Sequence, residues 1–154
     1  MFQNVKSLGK AIALPLLVGF VSGFLTKDAM KLFETMVQPP LSPPGWLFPV
    51  VWTILYALMG ISSWLIARRE SEKKEEALSL YSYQLIVNFL WPVFFFSFGW
   101  YFFALLWLIL LWVLVLKMIL TFYQISPVAA WLNVPYLLWL TFAAYLNIGI
   151  WLLN

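Results

Sequence analysis

Residues Gly45–Ala67 read GWLFPVVWTILYALMGISSWLIA, a run of 23 without a single Asp, Glu, Lys or Arg. About 20 such residues in an α-helix cross the hydrocarbon core of a bilayer. A strand of a membrane barrel would instead alternate apolar and polar residues at period two, which this run does not do. Gly45–Ala67 is therefore a spanning helix. Outward from it lie four more runs of the same kind: Leu8–Leu25, Ala77–Phe98, Trp100–Phe122 and Val128–Leu153. Lys10 and Lys117 are the charged residues within the five, and near the ends of their runs they can snorkel to the interface. The spans, approximately 8–25, 45–67, 77–98, 100–122 and 128–153, leave room only for loops and ends. The expected fold is all-α and integral to the membrane, residues 1–154 forming a single domain of five transmembrane helices.

Composition agrees with this reading. The chain is 64% apolar and 10% charged, against about 45–50% and 25% in a soluble domain. That balance excludes a water-soluble globule. No Cys and no His are present, which removes thiolate nucleophiles, imidazole bases and the usual zinc ligands. No metal site is expected. The net charge of +3 comes from Lys and Arg at the ends of the runs, an orientation signal and not a nucleic-acid footprint. Lys6, Lys10, Arg68, Arg69, Lys73, Lys74 and Lys117 fall on one side, Lys27 and Lys31 on the other. The excess predicts a cytoplasmic N-terminus and, after five crossings, a C-terminus outside. No Arg-rich amphipathic leader precedes the first run, so a bacterial cytoplasmic membrane is the expected location of this multi-pass chain.

The first run has two readings. Lys6 and Lys10 followed by apolar residues, with small Ser22 and Gly23 after them, have the layout of a secretory signal peptide. Gly19 and Gly23 form a GxxxG spacing suited to a retained, closely packed helix. The loops are unequal. Arg68–Glu76, RRESEKKEE, reads as a solvated turn. The first loop is long: Asp28–Met36 has the pattern of a short amphipathic helix with Leu32, Phe33 and Met36 on one side. Pro39-Pro40 and Pro43-Pro44 then favour stiff, extended backbone. Such a loop serves as a cap over a cavity or as an ordinary connector.

Ten tryptophans divide into two sets. Trp46, Trp64, Trp100, Trp131 and Trp151 fall near span ends, where indoles anchor at the headgroups. Trp52, Trp91, Trp107, Trp112 and Trp139 lie deeper, where a buried N–H needs a partner that lipid tails lack. Helical spacing groups several of the deep ones into stripes. Trp52, Tyr56, Met59 and Ser63 share one face of the second span, and Gln84, Asn88, Trp91 and Phe95 one face of the third. Tyr136, Trp139, Ala143 and Asn147, with Leu146 alongside, do so in the fifth. Converging, these would line a flat, mostly apolar pocket with a few polar groups. Gln84 and Asn88 serve equally well to hydrogen-bond a neighbouring helix. The spans hold no carboxylate or imidazole, so a proton relay or an acid–base pair has no residues to use. Aromatic stacking, amide hydrogen bonds and the redox chemistry of indole remain, and they suit a large planar apolar ligand.

Three segments resemble those of a known family. Ser42–Gly60, SPPGWLFPVVWTILYALMG, is similar to the second-helix signature of the TspO/MBR family, the tryptophan-rich sensory proteins and translocator (peripheral benzodiazepine receptor) proteins. Gln84–Pro92, QLIVNFLWP, with Phe94–Phe96, resembles its third helix, and Pro135–Asn147, PYLLWLTFAAYLN, its fifth. The resemblance implies a retained first helix and a five-helix bundle, commonly a homodimer, with the long first loop capping a ligand pocket. That pocket would bind porphyrins such as protoporphyrin IX and haem-related tetrapyrroles, isoquinoline and benzodiazepine ligands and, in some members, sterols. Carried onto this sequence it involves Pro43, Phe48, Trp52, Tyr56, Asn88, Trp91, Trp139, Ala143 and Leu146, with Gln84 an additional hydrogen-bonding residue. The porphyrin would be ligand or substrate, with no covalently bound cofactor.

Some bacterial members degrade protoporphyrin in light and oxygen, and the tryptophans implicated fall on Trp52 and Trp139. An excited porphyrin beside an indole can exchange an electron, and enclosure directs oxygen to the bound ring. Three departures stand out. Gln38-Pro39-Pro40-Leu41 replaces the usual Lys-Pro-x-Trp, Trp107 stands where an acidic residue is frequent, and Ile148 and Leu152 break the sterol pattern of the last helix. The expected function is a membrane receptor for porphyrins in tetrapyrrole handling or stress sensing. The alternatives are a light- and oxygen-dependent porphyrin-degrading enzyme and a transporter of porphyrins or other amphipathic molecules.

Overall fold

The computed structural model describes residues 2–154, with side chains from Asn4 onward. Among these residues the chain is helical without strands, and five helical segments are long and apolar enough to cross a membrane. The protein is a multi-pass membrane protein. Helix α1 covers Phe2–Phe33, α2 Leu47–Ala67 and α3 Lys74–Pro92. One π-helical turn, Val93–Ser97, follows α3, and then come α4 Tyr101–Ile125, α5 Pro127–Leu132 and α6 Val134–Leu153.

Several boundaries differ from the sequence expectation, each for a physical reason. The first helix runs well beyond Leu8–Leu25, because Thr26–Phe33 holds no Gly or Pro to stop it. The separate amphipathic helix expected over Asp28–Met36 is instead the end of α1 and a closing turn in which Met36 N–H donates to Phe33 C=O at 3.0 Å. Phe33 and Met36 turn inward as expected, but Leu32 is 68% exposed. In α3, Pro92 has no N–H to give the carbonyl one turn back, and the helix widens into the π turn. Gly99, at φ +66°, then reverses the chain into α4. The fifth crossing is broken. Pro135 cannot donate in the first turn of α6, so the chain interrupts at Asn133 between α5 and α6. The Asn133 side chain closes the break by donating to Ser62 Oγ at 2.8 Å and to Ala129 C=O at 3.1 Å. Ser126 caps α5 with Pro127 in its first turn.

α1 packs along α2 and α3, α3 along α4, α4 along α5 and α6, and α2 along α5. α6 makes no comparable backbone approach to α1 or α2, and the room left there is the cavity described below. Close contact of α1 with α2 is set by glycine at two places. A Cβ on Gly60 would meet the α1 backbone at Ile12, and one on Gly19 would strike the Tyr56 ring. Gly23, the other half of the GxxxG pair, faces open space, so only Gly19 works as a packing position. Trp46, Trp100, Trp131 and Trp151 are exposed near helix ends, and Trp64 donates to Ser7 Oγ at 2.9 Å beneath the Arg68 guanidinium.

Candidate functional site

A cavity of about 640 Å³ lies among α1, α2, α3 and α6, with Leu108 and Leu111 of α4 at its back. Its wall holds no Asp, Glu, Lys or Arg. Trp52 stacks on Tyr56 with centroids 5.4 Å apart, Phe48 meets Trp139 edge-on at 5.9 Å, and Trp91 stacks on Phe95 at 4.9 Å. Phe20, Gly23, Phe24, Pro49 and Thr53 line the cavity and are exposed, so it opens sideways between α1 and α2 toward the bilayer.

The polar groups around it are arranged with economy. Tyr56 O–H donates to Asn88 Oδ1 at 2.6 Å, Asn88 Nδ2 to Tyr136 Oη at 2.7 Å, and Tyr136 O–H to Gln84 Oε1 at 2.8 Å. Trp91 Nε1 donates to Asn147 Oδ1 at 3.2 Å, and Asn147 Nδ2 to Tyr101 C=O at 2.8 Å. The hydroxyls of Ser22, Thr26 and Thr53 all donate to backbone carbonyls. Two donors in the wall stand apart: the indole N–H groups of Trp52 and Trp139 have no hydrogen-bond partner among the described residues.

Of the residues expected from sequence, Phe48, Trp52, Tyr56, Asn88, Trp91, Trp139, Ala143 and Leu146 line this one cavity. Two do not. Gln84 is fully buried one helical turn below Asn88 and bonds to Tyr136, out of reach of the wall. Pro43 stays in the first loop, which is held over α6 rather than dipped into the cavity. There Tyr145 O–H donates to Pro40 C=O at 2.5 Å. Val37 N–H and C=O pair with the Asn154 side chain at 3.3 and 2.8 Å, and Pro39 fills the space beside Gly149. Met36 Sδ accepts from Tyr101 O–H at 3.2 Å. The loop thus straps the end of the bundle from α1 across α4 and α6.

Trp107 and Trp112, the other deep tryptophans, are absent from the wall. They staple helices, Trp107 Nε1 donating to Val87 C=O at 2.7 Å and Trp112 Nε1 to Thr141 Oγ1 at 2.9 Å. Trp107 is therefore a bridge between α3 and α4. The sequence reading missed the whole α1 wall, Leu16 to Phe33. A signal was there: Ser22 and Thr26, polar residues four apart in an apolar run, are 3% and 1% exposed and mark its inward face.

The TspO/MBR family model matches residues 11–152. The tryptophan-rich protein TspO of Chlorobaculum tepidum is 38% identical over 157 residues, covering 100% of this chain and 99% of that protein. The translocator protein of Bos taurus is 36% identical, covering 90% of this chain and 84% of its own. A tryptophan-rich sensory protein of Cereibacter sphaeroides is 35% identical over 79% of this chain and 76% of its own.

Proposed function

The chain belongs to the TspO/MBR family, and from that premise we propose that it is a membrane receptor for porphyrins and other planar, mostly apolar ligands. The observation that carries this reading is the uncharged aromatic cavity, whose wall brings Trp52, Trp91 and Trp139 together with the amide of Asn88. Flat rings stack on such walls, and a few fixed polar groups orient them. The protein acts as a homodimer in a bacterial cytoplasmic membrane, N-terminus inside, in tetrapyrrole handling or stress sensing.

A second reading, light- and oxygen-dependent degradation of the bound porphyrin, is favoured by one observation. Trp52 and Trp139 both line the cavity with indole N–H groups that have no hydrogen-bond partner among the described residues. Both readings are tested by titrating purified protein with protoporphyrin IX in darkness, following tryptophan quenching, and then illuminating the complex. Saturable quenching supports the receptor, and bleaching faster than a detergent blank adds the enzyme. Absence of saturable quenching removes both.

A further inference from the structure

The buried polar file beneath the cavity has a fixed sense, and the sense has a consequence for the ligand. At its far end Gln84 Nε2 faces Met59 Sδ at 3.8 Å. A thioether can only accept a hydrogen bond. Turning the Gln84 amide over would set its oxygen against that sulfur, two acceptors with no hydrogen between them. Gln84 therefore keeps its oxygen toward Tyr136 and takes the phenol proton at 2.8 Å. Tyr136 has one proton to give, so its oxygen must accept from Asn88, which presents Nδ2 at 2.7 Å. The Asn88 oxygen is thereby turned to the opposite side, where it accepts from Tyr56 at 2.6 Å. Tyr56 and Asn88 line the cavity, whereas Met59, Gln84 and Tyr136 do not and are at most 1% exposed.

We propose that Met59, Gln84 and Tyr136 are positioning residues that hold the carbonyl oxygen of Asn88, not its NH2, toward the ligand, so that the cavity floor favours planar ligands carrying an N–H or O–H donor. An amide oxygen has two lone pairs, and Tyr56 occupies one. In surroundings this apolar, a donor that reaches the second is rewarded, and an acceptor placed there is left unpaired. The inference rests on the cavity being a ligand site and adds a hydrogen-bonding sense to it.

The test uses two probes of nearly equal shape, carbazole, which carries an N–H, and fluorene, which carries a CH2 in its place. Their dark affinities for the full chain in lipid nanodiscs are measured with partition into empty nanodiscs subtracted. The wild type binds carbazole roughly five- to tenfold more tightly, the worth of one net hydrogen bond. Gln84→Leu and Tyr136→Phe, which free the Asn88 amide to turn, bring the ratio toward one while fluorene affinity stays unchanged. Met59→Leu conserves volume, removes only the sulfur, and also lowers the ratio. Constant fluorene affinity is the readout that separates positioning from a collapsed cavity. Equal binding of both probes by the wild type, or a preference that survives all three variants, overturns the proposal and leaves the cavity as a ligand site. Failure of the wild type to bind either probe saturably overturns both.

Discussion

At the scale of single residues, Trp52 and Trp139 differ from Trp91, the third tryptophan of the cavity wall, in what their N–H groups do. Trp64, Trp91, Trp107 and Trp112 each donate to a protein oxygen, which ties the ring to the fold. Trp52 and Trp139 are held by ring contacts alone. Replacing either by Phe keeps an aromatic wall and removes the easily oxidised indole. Trp52→Phe and Trp139→Phe are expected to slow light-driven bleaching of bound protoporphyrin more than they weaken its binding in darkness. Equal losses in both measurements would assign them to the wall only. The glycines of α1 give a second contrast. A Cβ on Gly19 drives into the Tyr56 ring, whereas one on Gly23 meets nothing. Gly19→Ala should cost about 1–3 kcal/mol, while Gly23→Ala should be neutral or gain up to about 1 kcal/mol from helix propensity. Thermal unfolding of the two variants side by side checks this.

At the scale of elements, the first loop and α6 act as one unit. Pro39 fits beside Gly149 because that position lacks a Cβ, and Tyr145 and Asn154 hold the backbone on either side. Removing both polar ties in Tyr145→Phe with Asn154→Ala should raise hydrogen exchange at the Val37 amide by about tenfold or more, from the net worth of the lost bonds. Unchanged exchange would mean that Pro39 and Met36 hold the strap unaided.

These elements also show what the sequence could and could not disclose. Five spans were legible because uncharged runs of membrane length have one solution in lipid. The break at Asn133 was hidden, since Pro135 lies inside an unbroken apolar run and hydropathy does not register a missing N–H. Gln84 and Asn88 were legible as one stripe, but positions four apart sit about 6 Å apart along a helix. That distance decides which of them reaches the cavity. The loop's course over α6 was not readable, because it depends on pairing Val37 with a residue 117 positions away.

For the molecule as a whole, the central claim is that one cavity among α1, α2, α3 and α6 holds the tetrapyrrole. Its position follows from topology: α6 packs on α4 and stands off α1 and α2, and aromatic side chains line the gap. Ala143 is the small residue at that wall, 8% exposed and on the same face as Trp139. The most direct measurement is a dark titration with protoporphyrin IX of the wild type and Ala143→Phe in parallel, with helicity and thermal unfolding as controls. The account predicts saturable binding to the wild type and at least tenfold weaker binding to an Ala143→Phe variant that remains folded. Undiminished binding to the folded variant would place the porphyrin elsewhere on the protein and contradict the assignment of this cavity.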